Sequence, residues 1–282
     1  MVQKNASAIQ EISDNDLLRV SRLDDGNPEI FQSIQGEGVN LGSPCTFLRL
    51  AGCNLKCTWC DTKYTWDWDK YKFEDEVVQL SVKNLICKIK SLHQQHLVIT
   101  GGEPLLQQKI LANLTSHLSQ IGFFIEVETN GTILPTEPFA STINQWNISP
   151  KLANSENGAL EGYSLETLHA LTAYERSYLK FVLKDPGDCV EVVNIVNELG
   201  ITPRRVYLMP EGTTKEEISR KSTWISELCL VYGYNFTTRA NILISVSYTH
   251  LRAHETRHDL VFSLLLEKKK WGGGGGGGGG GG

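Results

Sequence analysis

Two hydrophobic rhythms alternate along this chain. Short apolar runs predict strands, and apolar positions spaced three and four apart predict helices between them. Cys45–Leu50, Leu97–Ile99, Phe123–Val127, Gln145–Ile148, Tyr178–Leu183 and Val206–Met209 read as strands, and Asn241–Ile244 as the start of one more. Helical spacing covers Val77–Leu92, Pro104–Gln120, Ser164–Ala173, Cys189–Leu199 and Lys215–Tyr232. Pro104 suits a first helical turn, Ser164 with Glu166 suits a helix start, and Gly122 and Gly200 suit helix stops.

Strand–helix alternation implies a parallel sheet with crossover helices. The units are too few for a complete eight-fold barrel. The expected fold is therefore α/β, an incomplete (partial TIM-like) parallel β/α barrel. Ligands in such sheets bind at the carboxyl ends of the strands. Four loops would meet there: Cys53–Cys60, Gly101–Glu103, Glu128–Asn130 and Ser149–Lys151. Residues 1–244 show no internal repeat or dividing linker and are expected to form one catalytic domain.

Residues 245–282 fit none of this. Residues 245–271 read as an adapter-like segment, and Gly272–Gly282 is an unbroken glycine run. They are expected to be a non-native tail. His250, His254 and His258 fall at four-residue steps, yet no cysteine or carboxylate context turns that spacing into a metal site.

Composition narrows the class. Of 282 residues, 40% are hydrophobic and 21% charged, as in a soluble globular protein. A net charge of −5 argues against a large nucleic-acid footprint. No apolar run reaches bilayer length. The polar N-terminus lacks signal-peptide layout, so a cytoplasmic location is expected.

The seven cysteines carry the chemistry. Cys45, Cys87, Cys189 and Cys229 lie in apolar contexts and read as core residues. The other three form Cys53-Asn-Leu-Lys-Cys57-Thr-Trp-Cys60. Three thiolates at these spacings can wrap an iron–sulfur cube. Full ligation would use four cysteines, so one iron stays open to chelate the amino and carboxylate groups of a small molecule. A zinc site usually takes four ligands from paired knuckles, and no second pair stands here.

The triplet, followed by Gly101-Gly102-Glu103-Pro104 after a strand, resembles the radical S-adenosylmethionine (SAM) superfamily. That resemblance implies a [4Fe–4S] cluster on Cys53, Cys57 and Cys60, and reductive cleavage of SAM to methionine and a 5′-deoxyadenosyl radical. Further motifs narrow it: Phe31-Gln-Ser-Ile-Gln-Gly-Glu-Gly38, Thr46-Phe-Leu-Arg49, Cys60-Asp61-Thr62, Glu128-Thr-Asn-Gly131, Ser149-Pro-Lys151, Lys180-Phe-Val182 and Leu208-Met-Pro-Glu-Gly212. Together they resemble the 7-carboxy-7-deazaguanine synthase family over nearly all of residues 18–244. The family resemblance implies conversion of 6-carboxy-5,6,7,8-tetrahydropterin to 7-carboxy-7-deazaguanine with loss of ammonia, a step toward queuosine. By the same resemblance, Ile34, Gln35, Gly36, Arg49 and Thr100 would bind the pterin, Arg49 through its carboxylate. Trp59, Cys60, Asp61, Gly102, Ser149, Pro150 and Lys151 would surround SAM, and Thr62 would offer its hydroxyl to Mg²⁺. An electron donor such as flavodoxin or ferredoxin and a homodimer are also implied.

Simpler readings stand beside these. Arg49 could be a strand-face salt bridge, and Thr62 could cap its loop. Trp66 and Trp68 read as a solvated amphipathic stretch with no site role. At the level of function, another radical SAM enzyme, such as a glycyl-radical activase, would share the triplet and the Gly-Gly-Glu turn. A non-catalytic metal-binding or tRNA-interaction module would cleave no SAM.

Overall fold

A computed structural model of the chain describes residues 16–157 and 162–244. The tail at 245–282, with its three histidines, lies outside the described residues. One ten-stranded sheet organises the rest: β1 (Leu17–Ser21), β2 (Ile30–Ile34), β3 (Pro44–Leu50), β4 (Val77–Ser81), β5 (His96–Gly101), β6 (Phe124–Thr129), β7 (Gln145–Ile148), β8 (Ser177–Leu183), β9 (Val206–Pro210) and β10 (Asn235–Phe236). The helices are α1 (Phe73–Glu76), α2 (Val82–Ser91), α3 (Gln108–Gln120), α4 (Glu137–Ala140), α5 (Leu165–Thr172), α6 (Asp188–Leu199), α7 (Lys215–Tyr232) and α8 (Ala240–Leu243).

The strand order is β10-β9-β8-β7-β6-β5-β3-β1-β4, with β2 also paired to β3. From β3 through β10 every pairing along this path is parallel, while β1 and β2 run antiparallel to β3. β10 at one end of the order does not pair with β4 at the other, so the barrel is incomplete, as predicted.

Alternation along the strands separates two environments. Leu48, Leu50, Ile99, Val127, Ile148, Leu179, Phe181 and Leu208 join Leu111, Leu114 and Leu118 of α3, Leu168 and Leu171 of α5, and Val192 and Ile195 of α6 in one apolar core. The intervening positions carry Thr100, Glu126, Glu128, Asn147 and Lys180, which bond to one another and to residues 35–40, and Arg49, which bonds to Glu29, all on the face away from that core. The polar residues are thus held on a face the crossover helices leave open.

Local chemistry fixes the helix ends. Ser81 and Ser164 accept N–H bonds from Asn84 and Thr167 as N-caps. Thr214 and Glu217 form a reciprocal capping box at the start of α7. Gly200 and Gly233 adopt left-handed conformations at the ends of α6 and α7.

Three expectations change. Residues 77–81 of the expected long helix form β4, because all five pair antiparallel with β1. Asn241–Ile244 is not a strand: Ala240–Leu243 is a single helical turn, and the last strand comes earlier, at Asn235–Phe236 beside β9. Cys87 is exposed on α2, whereas Cys45, Cys189 and Cys229 are buried. The chain divides into compact units 1–240 and 241–282, the second represented among the described residues by 241–244 alone. No helix of the described residues is long and apolar enough to cross a membrane.

Candidate active site at the carboxyl ends of the strands

β3 ends at Leu50, and the chain turns through Ala51 and Gly52 into the three-cysteine loop. Each sulfur accepts a different N–H. Leu55 N donates to Cys53 Sγ at 3.4 Å, Asn157 Nδ2 to Cys57 Sγ at 2.8 Å, and Trp66 Nε1 to Cys60 Sγ at 3.3 Å. Burial pushes the Cys53 thiol up to about 12, against its bond from Leu55, and raises Cys57 as well. Such thiols ionise when a metal offsets the burial. Donors aimed at all three sulfurs fit thiolate ligands. Among the described residues, no three His, Cys, Asp or Glu side chains are grouped to hold a single metal ion. A cube asks for something else, one cysteine per iron on three separate irons.

The Gly-Gly-Glu turn after β5 is packed directly against the start of this loop. Gly102 N donates to Leu50 O at 2.9 Å, and Glu103 N to Gly52 O at 2.8 Å. A Cβ on Gly102 would lie 2.0 Å from Gly52 O, and one on Gly101 would lie 2.1 Å from Leu50 O. The two glycines therefore let two backbones touch. Glu103 is fully buried and joins β5 to β6: its carboxylate accepts from Leu105 N, Thr129 Oγ1 and Asn130 N at 2.7–3.0 Å.

The residues expected around SAM gather on this side. Lys151 Nζ donates to Ser149 Oγ at 2.9 Å and lies 5.5 Å from the centre of the Trp59 ring. Trp59 Nε1 bonds Asn154 Oδ1, and Pro150 is buried between Ser149 and Lys151. Asp61 is exposed and ion-paired with Arg239. Thr62 Oγ1 lies 3.6 Å from Cys60 Sγ, while the Thr62 carbonyl accepts from Thr65 N and Oγ1. The alternative in which Thr62 caps its loop is met by its backbone carbonyl, and its hydroxyl lies beside Cys60 Sγ instead.

The residues expected around the pterin lie along β2, β3 and β5. Ile34 pairs with Pro44 at the end of β2, and Gly36 O accepts from Ala240 N at 2.9 Å. Gln35, 2% exposed, donates through Nε2 to Glu126 Oε1 at 2.6 Å and Glu128 Oε1 at 3.2 Å. Thr100 Oγ1 donates to Glu128 Oε2 at 2.7 Å. Arg49 Nε donates to Glu29 Oε1 at 2.8 Å, so the strand-face salt bridge does form. Tyr64 OH bonds the same buried carboxylate.

Several partners had no assigned role in the sequence reading. Glu126 collects Gln35, Asn40, Asn147 and His96 on one buried carboxylate. The two-residue spacing of Glu126 and Glu128 on one strand was the available signal for a polar face. Trp66, given no role, donates to Cys60. Asn157 reaches Cys57 from a hundred residues downstream, and no local pattern reports such a contact.

Glu37, given no site role by the motif that contains it, pairs with Lys180 and Arg239. Burial would raise its carboxyl, but the two cations outweigh burial and hold it at about 2, against an ordinary 4.5. A folded value below the unfolded one stabilises the protein fully above pH 4.5, and that stabilisation fades as pH falls toward 2. Glu37→Gln should therefore be least stable relative to wild type above pH 4.5, with the gap closing toward pH 2. Urea unfolding across this range checks it; a gap independent of pH would contradict the pairing.

Comparison with known proteins places this geometry. Residues 34–135 match a family model described as a 4Fe-4S single cluster domain. The chain is 34% identical to the 7-carboxy-7-deazaguanine synthase of Halobacterium salinarum, with 77% of this chain and 88% of that one covered. It is 36% identical to the Pyrobaculum aerophilum protein of the same name, covering 76% and 92%. Its fold is similar to the crystal structure of QueE from Escherichia coli, with TM-score 0.62 and 26% identity over 83% of this chain and 99% of that one.

Proposed function

The chain belongs to the 7-carboxy-7-deazaguanine synthase family, and from that premise we propose how its own residues serve the reaction. The protein is a radical SAM lyase that converts 6-carboxy-5,6,7,8-tetrahydropterin to 7-carboxy-7-deazaguanine with loss of ammonia, in the route to queuosine and related deazapurines. The observation that carries this is the cysteine loop, with an N–H donor on each sulfur and the Gly-Gly-Glu turn seated against its base.

In this reading Cys53, Cys57 and Cys60 hold the cluster. When bound, it supplies the electron that splits SAM into methionine and the 5′-deoxyadenosyl radical that begins the ring contraction. Gly102 seats the turn against the chain entering the cysteine loop, which places its backbone beside the SAM site, and Ser149, Pro150 and Lys151 form the opposite wall, with Lys151 as its cation. Trp59 offers a ring face beside that cation, and Asp61 lies at the exposed rim. Ile34, Gln35 and Gly36 line the pterin pocket. Gln35 is held by two glutamates, so its amide is pre-oriented, which favours recognition of a heterocycle edge. Arg49, fixed by Glu29, would direct positive charge at the substrate carboxylate. Thr100 donates to Glu128, which leaves its oxygen able to accept from the pterin.

Mg²⁺ on Thr62 belongs to this proposal, as do a flavodoxin- or ferredoxin-type donor, a homodimer and a cytoplasmic location. A neutral hydroxyl suits magnesium when substrate and water complete the shell. The catalytic domain in this reading is 1–244, and 245–282 takes no part. The test is anaerobic reconstitution followed by incubation with reductant, SAM and the carboxypterin. The expected result is 5′-deoxyadenosine together with the deazaguanine. SAM cleavage without any deazaguanine would favour another radical SAM activity.

A further inference from the structure

Two N–H groups that point at cysteine sulfur come from side chains, and neither belongs to a ligand. The Cys53 donor is backbone and belongs to the loop itself. The other two are Asn157, from the segment after β7, and Trp66, from the segment after the cysteine loop. Resting on the functional reading above, we propose that Trp66 and Asn157 set the reduction potential of the cluster through their N–H···S bonds to Cys60 and Cys57.

The Asn157 amide is oriented from both ends. Its Oδ1 accepts from Lys56 N at 2.7 Å, so Nδ2 must face Cys57 Sγ and Ser155 Oγ. It is 9% exposed, and there a dipole acts on a charge with little screening. Trp66 is equally constrained. An indole nitrogen only donates, and the Trp66 backbone is tied to Lys63 O at the end of a short 3₁₀ turn. Both contacts are neutral donors directed at atoms that become more negative on reduction.

The step concerned is a one-electron reduction, [4Fe–4S]²⁺ to [4Fe–4S]⁺, with the electron from a low-potential one-electron donor. The added charge spreads over the cluster and its thiolates. Each N–H dipole pointed at sulfur stabilises the reduced form more than the oxidised form, so it raises the potential. Trp66 and Asn157 would thus make the cluster reducible by a donor too weak to reduce it unaided. A packing role alone would predict no such shift.

The test is an EPR-monitored redox titration of the reconstituted full chain, with iron and sulfide measured on the same samples. Trp66→Phe keeps the aromatic ring and removes the donor; Asn157→Leu removes the amide. Both are expected to retain cluster and to move the midpoint to more negative potential. A tenfold fall in the reduced-to-oxidised ratio at fixed potential corresponds to about 59 mV for one electron. SAM cleavage should fall with a weak reductant and recover with a strong one in excess. If Asn157→Leu cannot hold the cluster, Trp66→Phe alone decides. Full iron and sulfide with an unchanged midpoint in Trp66→Phe overturns the inference, leaving the function intact. A wild-type protein that binds no [4Fe–4S] cluster overturns the functional reading, and this inference with it.

Discussion

Cys57→Ser should give a folded protein whose reductive cleavage of SAM falls to background. The side chain is buried, and its sulfur accepts one bond, from Asn157 Nδ2. A serine oxygen can accept the same bond, so the fold should lose no more than about 1–2 kcal/mol. The ligand set loses far more. In the proposed site three thiolates would already leave one iron without a protein ligand, and a second open iron would make the cluster labile. Unfolding, iron content and 5′-deoxyadenosine formation would be measured on one preparation. Wild-type SAM cleavage by Cys57→Ser would remove Cys57 from the ligand set. Cys87→Ser is the matched control, since Cys87 is exposed on α2 and should change none of these readouts.

Gly102→Ala should damage the same chemistry from outside the ligand set. Its new methyl would lie 2.0 Å from Gly52 O and 2.5 Å from Gly52 C. Both are backbone atoms, so no rotamer change relieves the contact. The chain immediately before Cys53 must move, which breaks the bonds Gly102 N→Leu50 O and Glu103 N→Gly52 O. Overpacking of this kind costs about 1–3 kcal/mol and sometimes more. The expected result is a lower unfolding midpoint together with reduced iron retention. Gly200→Ala separates crowding from backbone preference: Gly200 has φ +60 and nothing within 4 Å of the added methyl, so about 1–2 kcal/mol of stability should go with no loss of iron. Unchanged stability and iron content in Gly102→Ala would mean that the turn and the cysteine loop are not in contact.

What could be read from the chain follows from the range of the forces involved. The parallel strands were visible because a strand buried on one side by helices carries its own apolar signal, as in Leu97–Ile99 and Val206–Met209. The cysteine triplet and the Gly-Gly-Glu turn were visible because ligand spacing and backbone approach are local. β4 was missed for the opposite reason. Val77, Val78 and Leu80 run on into the true helical spacing of α2, and only pairing with β1 some sixty residues upstream makes them a strand. Arg49 shows how one side chain can carry two readings, because a salt bridge to Glu29 is also a way to aim a guanidinium. Glu37, Lys180 and Arg239 come from three distant segments, and their pairing follows from the topology rather than from any motif.

In the proposed function three cysteines hold an iron cube whose remaining iron takes SAM. The most direct measurement is the EPR spectrum of the anaerobically reconstituted, reduced protein, recorded without and then with SAM. A [4Fe–4S]⁺ signal whose shape changes when SAM is added is the expected result. A protein that takes up about one zinc and no sulfide, or a cluster signal indifferent to SAM, would contradict it.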